Sequence, residues 1–376
     1  MGPVLRISGH EVFSITVDGL TSGQQAAVRN SITASDSGAG LGLAPLFSSH
    51  RSVSELVLSG TRDRIKHFSR MISTSSGFPA ELSKKIDSLL DNYARSDYKI
   101  DCRGTMLDLG SRTCVMGILN VTPDSFSDGG LFADAEKAIS HARDMAKAGA
   151  DIIDIGGEST RPGSEPLSEE EELRRIIPLI ERLSKELAVP ISVDTYKASV
   201  AKKALDAGAS IVNDISGLRF SPDMAKVVAE HGAAVIIMHI KGTPRNMQQN
   251  PVYDDVIGEI MTYLEEGIAI AERAGVNREK TLIDPGIGFG KTLGHNLVIL
   301  NRLDEFRALG RPIVLGTSRK KFIGTVLDIP VPEQRVEGTA ATVAIGIERG
   351  ASVVRVHDVA RVAQVVRMTD AIIKPR

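Results

Sequence analysis

A chain of 376 residues with 45 Lys and Arg against 47 Asp and Glu has a formal net charge of −2, so no global field draws in nucleic acid or an anionic membrane, and any anion site must be local. Composition is that of a globular protein, 42% hydrophobic and 24% charged, and two cysteines, Cys102 and Cys114, exclude a disulfide framework or a zinc cluster. No apolar stretch reaches the length of a membrane span, and the N-terminus has neither a signal-peptide core nor an Arg-rich transit composition; a reduced, cytoplasmic setting is expected.

Residues 1–98 read as a small α/β module. Glu11 to Val17 and Ser54 to Leu58 have the look of short strands, Thr61 to Ser73 and Pro79 to Ala94 of amphipathic helices, and the Gly-, Ala- and Ser-rich stretch Thr33 to Pro45 of a loop. No phosphate loop, metal spacing or nucleophile motif falls here, so an accessory or oligomerisation role is expected. Tyr98 to Arg112 then reads as a β-hairpin turning near Gly104, of the kind that plugs the N-terminal mouth of a barrel.

Eight apolar runs follow, each ending in polar residues: Cys114 to Val121, Asp151 to Gly156, Pro190 to Thr195, Ile211 to Ile215, Ala234 to Ile240, Thr281 to Gly286, Pro312 to Ser318 and Ser352 to Asp358. Segments of helical period separate them, among them Asp134 to Gly149, Ser168 to Leu187, Lys197 to Gly208 and Leu293 to Gly310, and a last helix spans Val359 to Lys374. Unbroken Val/Ile/Leu strands are buried on both faces, and strict alternation implies parallel pairing through right-handed crossovers. Eight units predict a (β/α)8 TIM barrel over residues 99–376, with a doubly wound open sheet as the alternative. Such a barrel typically needs about 250 residues, which leaves the first hundred as an extra unit.

The C-terminal tips of barrel strands converge on one mouth. The first tip breaks from Met116-Gly117-Ile118-Leu119-Asn120 into a Gly/Pro-punctuated loop carrying Phe126 and Asp128. The second gives Gly157-Glu158-Ser159-Thr160-Arg161-Pro162-Gly163, a flexible loop with a hydroxyl and a guanidinium. Asp194, Asn213, Asp214 and Asp284 end the third, fourth and sixth runs. Each acid could simply cap a helix, but with Asn213 they also form a ring of hydrogen-bonding groups suited to a nitrogen-rich heterocycle. Asp284 opens the run Pro285-Gly286-Ile287-Gly288-Phe289-Gly290-Lys291, whose glycines let backbone approach a flat ring. Ser318-Arg319-Lys320-Lys321 brings positive charge to the seventh tip. Arg355 and His357 alternate along the last strand, so both face the mouth, where a buried cation pair needs an anion. The other seven histidines read as structural, His239 beside Met238 being the closest case.

The segments Met116 to Gly130, Gly156 to Gly163, Asp284 to Lys291, Ser318 to Gly324 and Arg355 to Val359 resemble, as a set, the signature blocks of the dihydropteroate synthase family, over roughly Tyr98 to the C-terminus. The resemblance implies condensation of 6-hydroxymethyl-7,8-dihydropterin diphosphate with 4-aminobenzoate to 7,8-dihydropteroate and diphosphate, the folate step that sulfonamides block, by an SN1-like route. It implies a pterin edge held by Asp194, Asn213, Asp284 and Lys320, walls from Ile215, Met238 and Phe289, a Mg²⁺ contact at Asn120, and a diphosphate clamp of Arg355 and His357. It further implies that Phe126, Asp128, Thr160, Arg161 and Pro162 close over the site, forming the 4-aminobenzoate pocket with Ser318. A homodimer through the later helices is implied as well; Val336 to Ile347 is small and apolar enough, although packing inside one barrel could bury the same face. The competing readings are a methyltetrahydrofolate-dependent methyltransferase, which would have no use for the cations at the last two tips, and a pterin-binding scaffold without catalysis.

Overall fold

The computed structural model describes residues 4–8, 13–18, 23, 42–46, 55–74, 80–121, 130–160 and 163–374, which form two compact units. One comprises residues 1–95 with Asp304–Gly310. Its sheet is antiparallel in the order β1 (Val4–Ser8), β2 (Phe13–Asp18), β4 (Glu55–Gly60), β3 (Gly42–Leu46), followed by helices α1 (Arg62–Ser73) and α2 (Ala80–Ala94). Ile15 and Val17 alternate with half-exposed Ser14 and Thr16, the period of a strand with one buried face. Ile65, Phe68 and Ile72 of α1 and Leu82, Ile86 and Leu90 of α2, at helical spacing, are all buried. Gly42–Leu46 corrects the reading of Thr33 to Pro45 as loop: Leu43 pairs with Leu58 across an antiparallel ladder. Its position at the sheet edge tolerates Pro45, and ladder pairing overrode a composition that signalled a turn. Within this unit Tyr93 donates to Asp304 Oδ2 at 2.7 Å and Asn92 Nδ2 to the Ala308 carbonyl at 3.0 Å.

The other unit, residues 96–303 and 311–376, opens with the hairpin β5 (Lys99–Cys102) and β6 (Thr105–Asp108), which turns through Arg103 and Gly104, both at positive φ. Eight parallel strands then close in the order β7 (Cys114–Asn120), β8 (Ile152–Gly156), β9 (Ile191–Asp194), β10 (Ile211–Asp214), β11 (Ala234–Met238), β12 (Thr281–Asp284), β13 (Ile313–Leu315) and β14 (Ala351–Val356). The sheet is closed, which removes the doubly wound alternative. Tyr98, Ile100, Cys102, Leu107 and Leu109 of the hairpin share one buried cluster with Met116, Ile152, Ile211, Ile236, Leu282, Val314 and Val353 of the strands, so the hairpin plugs the barrel's N-terminal end. Cys102 and Cys114 lie unpaired in this core, and burial pushes both thiols up to about 12, leaving them unreactive.

The surrounding helices are α3 (Gly130–Lys147), α4 (Glu169–Glu186), α5 (Ala198–Asp206), α6 (Met224–Glu230), α7 (Val256–Arg273), α8 (Leu293–Asn301), α9 (Lys321–Leu327), α10 (Val336–Glu348) and α11 (Val359–Ile373). The helix expected over Leu293 to Gly310 is in fact two pieces, α8 and a 3-10 stretch, Leu303–Leu309. Of α10, Val336, Thr339, Val343, Gly346 and Ile347 face inward. No helix among the described residues is long and apolar enough to cross a membrane.

Candidate active site

Parallel registry brings the strand-tip residues side by side. Asp194 is level with Asn213 on the neighbouring strand, Met238 with Asp284, and Asn120 with Gly156. At Gly156 a Cβ would make only ordinary contacts, 3.4 Å from Asp194 Cβ and 3.7 Å from both Asn120 Oδ1 and Asp194 Oδ2, which places this glycine between the first and third tips.

The centre of the mouth is a buried ionic network. Arg355 Nε donates to Asp154 Oδ2 at 2.6 Å and its Nη2 to Asp194 Oδ2 at 2.7 Å, while Asn213 Nδ2 donates to the same Asp154 oxygen at 3.1 Å. Asp154 is fully buried, and one oxygen of each carboxylate, Asp154 Oδ1 and Asp194 Oδ1, has no hydrogen-bond partner. Burial raises Asp194 to about 7 against the pull of Arg355, with Asp154 adding repulsion. Arg355 is therefore no free anion clamp: two of its three nitrogens are already engaged, leaving Nη1 open. Sequence reasoning missed Asp154, although an acid two residues before Gly156 in an otherwise apolar strand was a visible signal.

Asp284 takes the Gly286 N–H on Oδ1 at 2.7 Å, and its Oδ2 bears no hydrogen bond among the described residues. Burial raises its pKa while Lys320 and Lys291 oppose the rise. Lys320 donates to the Ile287 carbonyl, sits 4.9 Å from the Phe289 ring centroid, and is pushed down by burial to about 8. Ile215 and Met238, with Ile240 and Met247, form an apolar cluster against which Tyr196 and Phe289 pack, so the three wall residues share one surface. Asp214 instead keeps a structural role: it accepts from the Ser216 N–H and hydroxyl and from the Leu218 N–H, satisfying the turn after β10.

The glycine run owes its shape to a pair that sequence did not single out. Lys291, almost wholly buried, bonds His239 Nδ1 at 2.9 Å and the Phe289 carbonyl at 3.0 Å. Burial and the neighbouring Lys291 ammonium hold His239 near 2, hence neutral, and burial carries Lys291 well below its usual value. A Cβ on Gly286, at φ +70°, would fall 1.9 Å from the His239 carbonyl oxygen.

At the eighth tip, Ser318 Oγ accepts from the His357 N–H at 3.1 Å and lies 3.0 Å from His357 Nδ1. The expected contribution of Arg319 fails: at φ +58° it turns away and forms a two-point pair with Asp358 at 2.9 and 2.7 Å. Asn120 is half-buried and its amide has no hydrogen-bond partner among the described residues; Thr160 is half-buried too. Phe126, Asp128, Arg161 and Pro162 lie outside the described residues. The base of the second loop is tied by Lys197, whose ammonium reaches Glu158 Oε2 at 2.5 Å, Glu172 Oε2 at 2.7 Å and the Leu167 carbonyl at 2.6 Å, with the Tyr196 hydroxyl on the other Glu158 oxygen at 2.6 Å.

A ring of buried acceptors beside two cations, on strand tips drawn from residues 116–357, coincides with the stretch matched by the family described as pterin binding enzyme. The chain is also 53% identical over 274 residues to the dihydropteroate synthase of Bacillus subtilis, across 73% of this chain and 93% of that protein. It belongs to the dihydropteroate synthase family. The solved dihydropteroate synthase of Xanthomonas albilineans with 4-aminobenzoic acid superposes with TM-score 0.70 at 44% identity, over 75% of this chain and 100% of that one. The same organism's dihydropteroate synthase in complex with 7,8-dihydropteroate matches with TM-score 0.67 at 42% identity, over 74% and 100%. As a member of this family the chain is a transferase of folate biosynthesis, which leaves no ground for the methyltransferase and scaffold readings.

Proposed function

We propose that this dihydropteroate synthase joins 6-hydroxymethyl-7,8-dihydropterin diphosphate to 4-aminobenzoate, giving 7,8-dihydropteroate and diphosphate, and that Asp194, Asn213, Asp284 and Lys320 hold the pterin. The observation that carries the reading is the acceptor edge of the mouth: Asp284 Oδ2 and Asn213 Oδ1, with no partner among the described residues, and Asp194, tied to Arg355, together with the Lys320 ammonium and the apolar cluster of Ile215, Met238 and Phe289. An ionised carboxylate matches the paired N–H donors of a guanidine-like pterin edge.

In an SN1-like route the C–O bond to diphosphate breaks with its electron pair leaving on oxygen. The carbocation delocalises into the pterin, the amine lone pair attacks, and the amine then loses a proton. No protein nucleophile is needed. Arg355 Nη1 and the His357 ring face the departing charge and stabilise it, while Ser318 fixes the His357 ring. Phe126, Asp128, Thr160, Arg161 and Pro162 complete the proposal by covering the mouth against water, which would otherwise capture the cation.

Mg²⁺ fits the donors present. Among the described residues no cluster of three or more His, Cys, Asp or Glu could cage a metal, whereas Asn120 Oδ1 and Asp194 Oδ2 both border Gly156, each 3.7 Å from where a Cβ would stand there. A hard ion that keeps its waters and takes phosphate oxygens suits so sparse a site, and it would neutralise charge on the diphosphate. The same proposal includes a homodimer, a cytoplasmic location that suits the two buried thiols, and an accessory role for residues 1–98.

The test is a coupled assay with dihydropterin diphosphate, Mg²⁺ and 4-aminobenzoate, following dihydropteroate and diphosphate together. Equal release of both, slowed in a His357→Ala variant, is the expected result; diphosphate without dihydropteroate would require a different acceptor.

A further inference from the structure

We infer that Asp154, which the reaction above does not use, is a positioning residue that fixes the polarity of Asn213, turning its amide oxygen toward the mouth as an acceptor. Asp154 Oδ2 already accepts from the Arg355 guanidinium and so acts as an acceptor, which means that the group Asn213 turns toward it, at 3.1 Å, is its NH2. The amide oxygen is then left facing the other way; it has no partner among the described residues and is not sealed from solvent, so it opens toward the mouth. Arg355 completes the constraint. Its Nε donates to the same Asp154 oxygen at 2.6 Å, so the carboxylate cannot rotate without breaking two bonds. Full burial of Asp154 leaves water no opportunity to substitute for either partner. The ligand-facing edge is thereby made of acceptors from three strands, answered by one donor, Lys320, and it selects a ring that presents several N–H groups.

The inference rests on the pterin reading, which turnover by the unmodified enzyme tests separately. Asp154→Asn is the isosteric probe, because an amide at that position can donate and lets Asn213 turn over. The KM for dihydropterin diphosphate should rise about tenfold or more, as a donor replaces an acceptor. The KM for 4-aminobenzoate should stay within about twofold, and the melting transition should remain cooperative. In an Asn213→Ala background, where no amide can be misoriented, the same change should raise the pterin KM by less than about threefold. An equal rise in both backgrounds would overturn the inference and reduce Asp154 to a counter-charge for Arg355, as would an unchanged pterin KM in the folded single variant. Should Asp154→Asn fail to fold, Asn213→Asp carries the test. It keeps an acceptor toward the ligand and must therefore show a lower pterin KM at pH 6 than Asn213→Ala; a KM as high or higher overturns the assignment.

Discussion

Arg355 joins two carboxylates of neighbouring strands, Asp154 and Asp194, and so has a role at the residue scale that is independent of any ligand. Replacing it by Ala strands Asp154 and Asp194, with side-chain exposures of 0% and 11%, without a cation. Loss of one partner from a buried pair typically costs about 3–5 kcal/mol, so Arg355→Ala should lower the urea midpoint accordingly, in a protein without any ligand. Asp194 gives a pH signature of its own. Its folded-state value of about 7 lies above the ordinary 3.8, so the native state holds the proton more tightly than the unfolded chain. The stability it contributes is full below about pH 4 and is lost as pH rises through 7. The stability of the wild type relative to Asp194→Asn should therefore fall between pH 4 and pH 7; a difference that is flat or rises would show that Arg355 keeps the carboxylate ionised throughout.

Two glycines at similar backbone angles separate strain from steric fit at the scale of loops. A Cβ added to Gly163, at φ +81°, would meet none of the described residues within 4 Å, whereas at Gly286, at φ +70°, the His239 carbonyl oxygen stands 1.9 Å away. Gly163→Ala should cost only the left-handed penalty of about 1–2 kcal/mol. Gly286→Ala should cost distinctly more and raise the pterin KM, because the loop must leave His239 and Lys291 to make room; chemical denaturation of the two variants side by side measures this. The second loop depends instead on charge. Lys197 holds Glu158 and Glu172, whose side chains are 7% and 1% exposed, and burial raises the pKa of Glu172. Lys197→Met leaves two buried carboxylates facing each other and should destabilise by about 3–5 kcal/mol, with partial recovery in the double variant Lys197→Met, Glu172→Gln. The helix ends α4 and α8 are set more locally: Ser168 accepts the Glu171 N–H, and Thr292 with His295 forms a reciprocal cap.

Oligomerisation belongs to the whole molecule, and for Val336 to Ile347 the fold supports the alternative of packing inside one barrel. The apolar face expected at Val336 to Ile347 is largely spent on the barrel, since α10 buries Val336, Val343 and Ile347 internally. Ile345, on the same helix, is 51% exposed, and on α11, which packs against it, Met368 and Ile372 are 63% and 66% exposed. The homodimer proposed above would use these exposed residues of both helices; on that proposal Ile372→Asp should shift the sedimentation coefficient to that of a monomer, while Val336 substitutions act on folding. Most of the molecule was legible beforehand because a barrel strand is buried on both faces, so each of the eight runs announced itself by composition and ended within two or three residues of its observed strand. The hairpin plug was equally visible. Strand β3 was not, because an edge strand with Gly42 and Pro45 carries the local signature of a turn and is specified by its partner β4.

What the sequence determined by itself was everything carried by local pattern: eight apolar strands, their polar tips, the glycine run after Asp284, and motif blocks specific enough to give the family. Local pattern suffices there because hydrophobic period and turn chemistry act over a few residues. Tertiary structure alone decided which charges meet. Asp154 and Arg355 lie 201 residues apart, and only closure of the sheet puts their side chains 2.6 Å from each other. Arg319, one residue before Lys320, turns to Asp358 instead of the mouth because its backbone is left-handed. Lys291 reaches His239 across 52 residues for the same reason that Asp154 meets Arg355: a barrel brings strand ends from the whole chain to one rim, and there the low dielectric makes each pairing, or its absence, count for far more than it would in water.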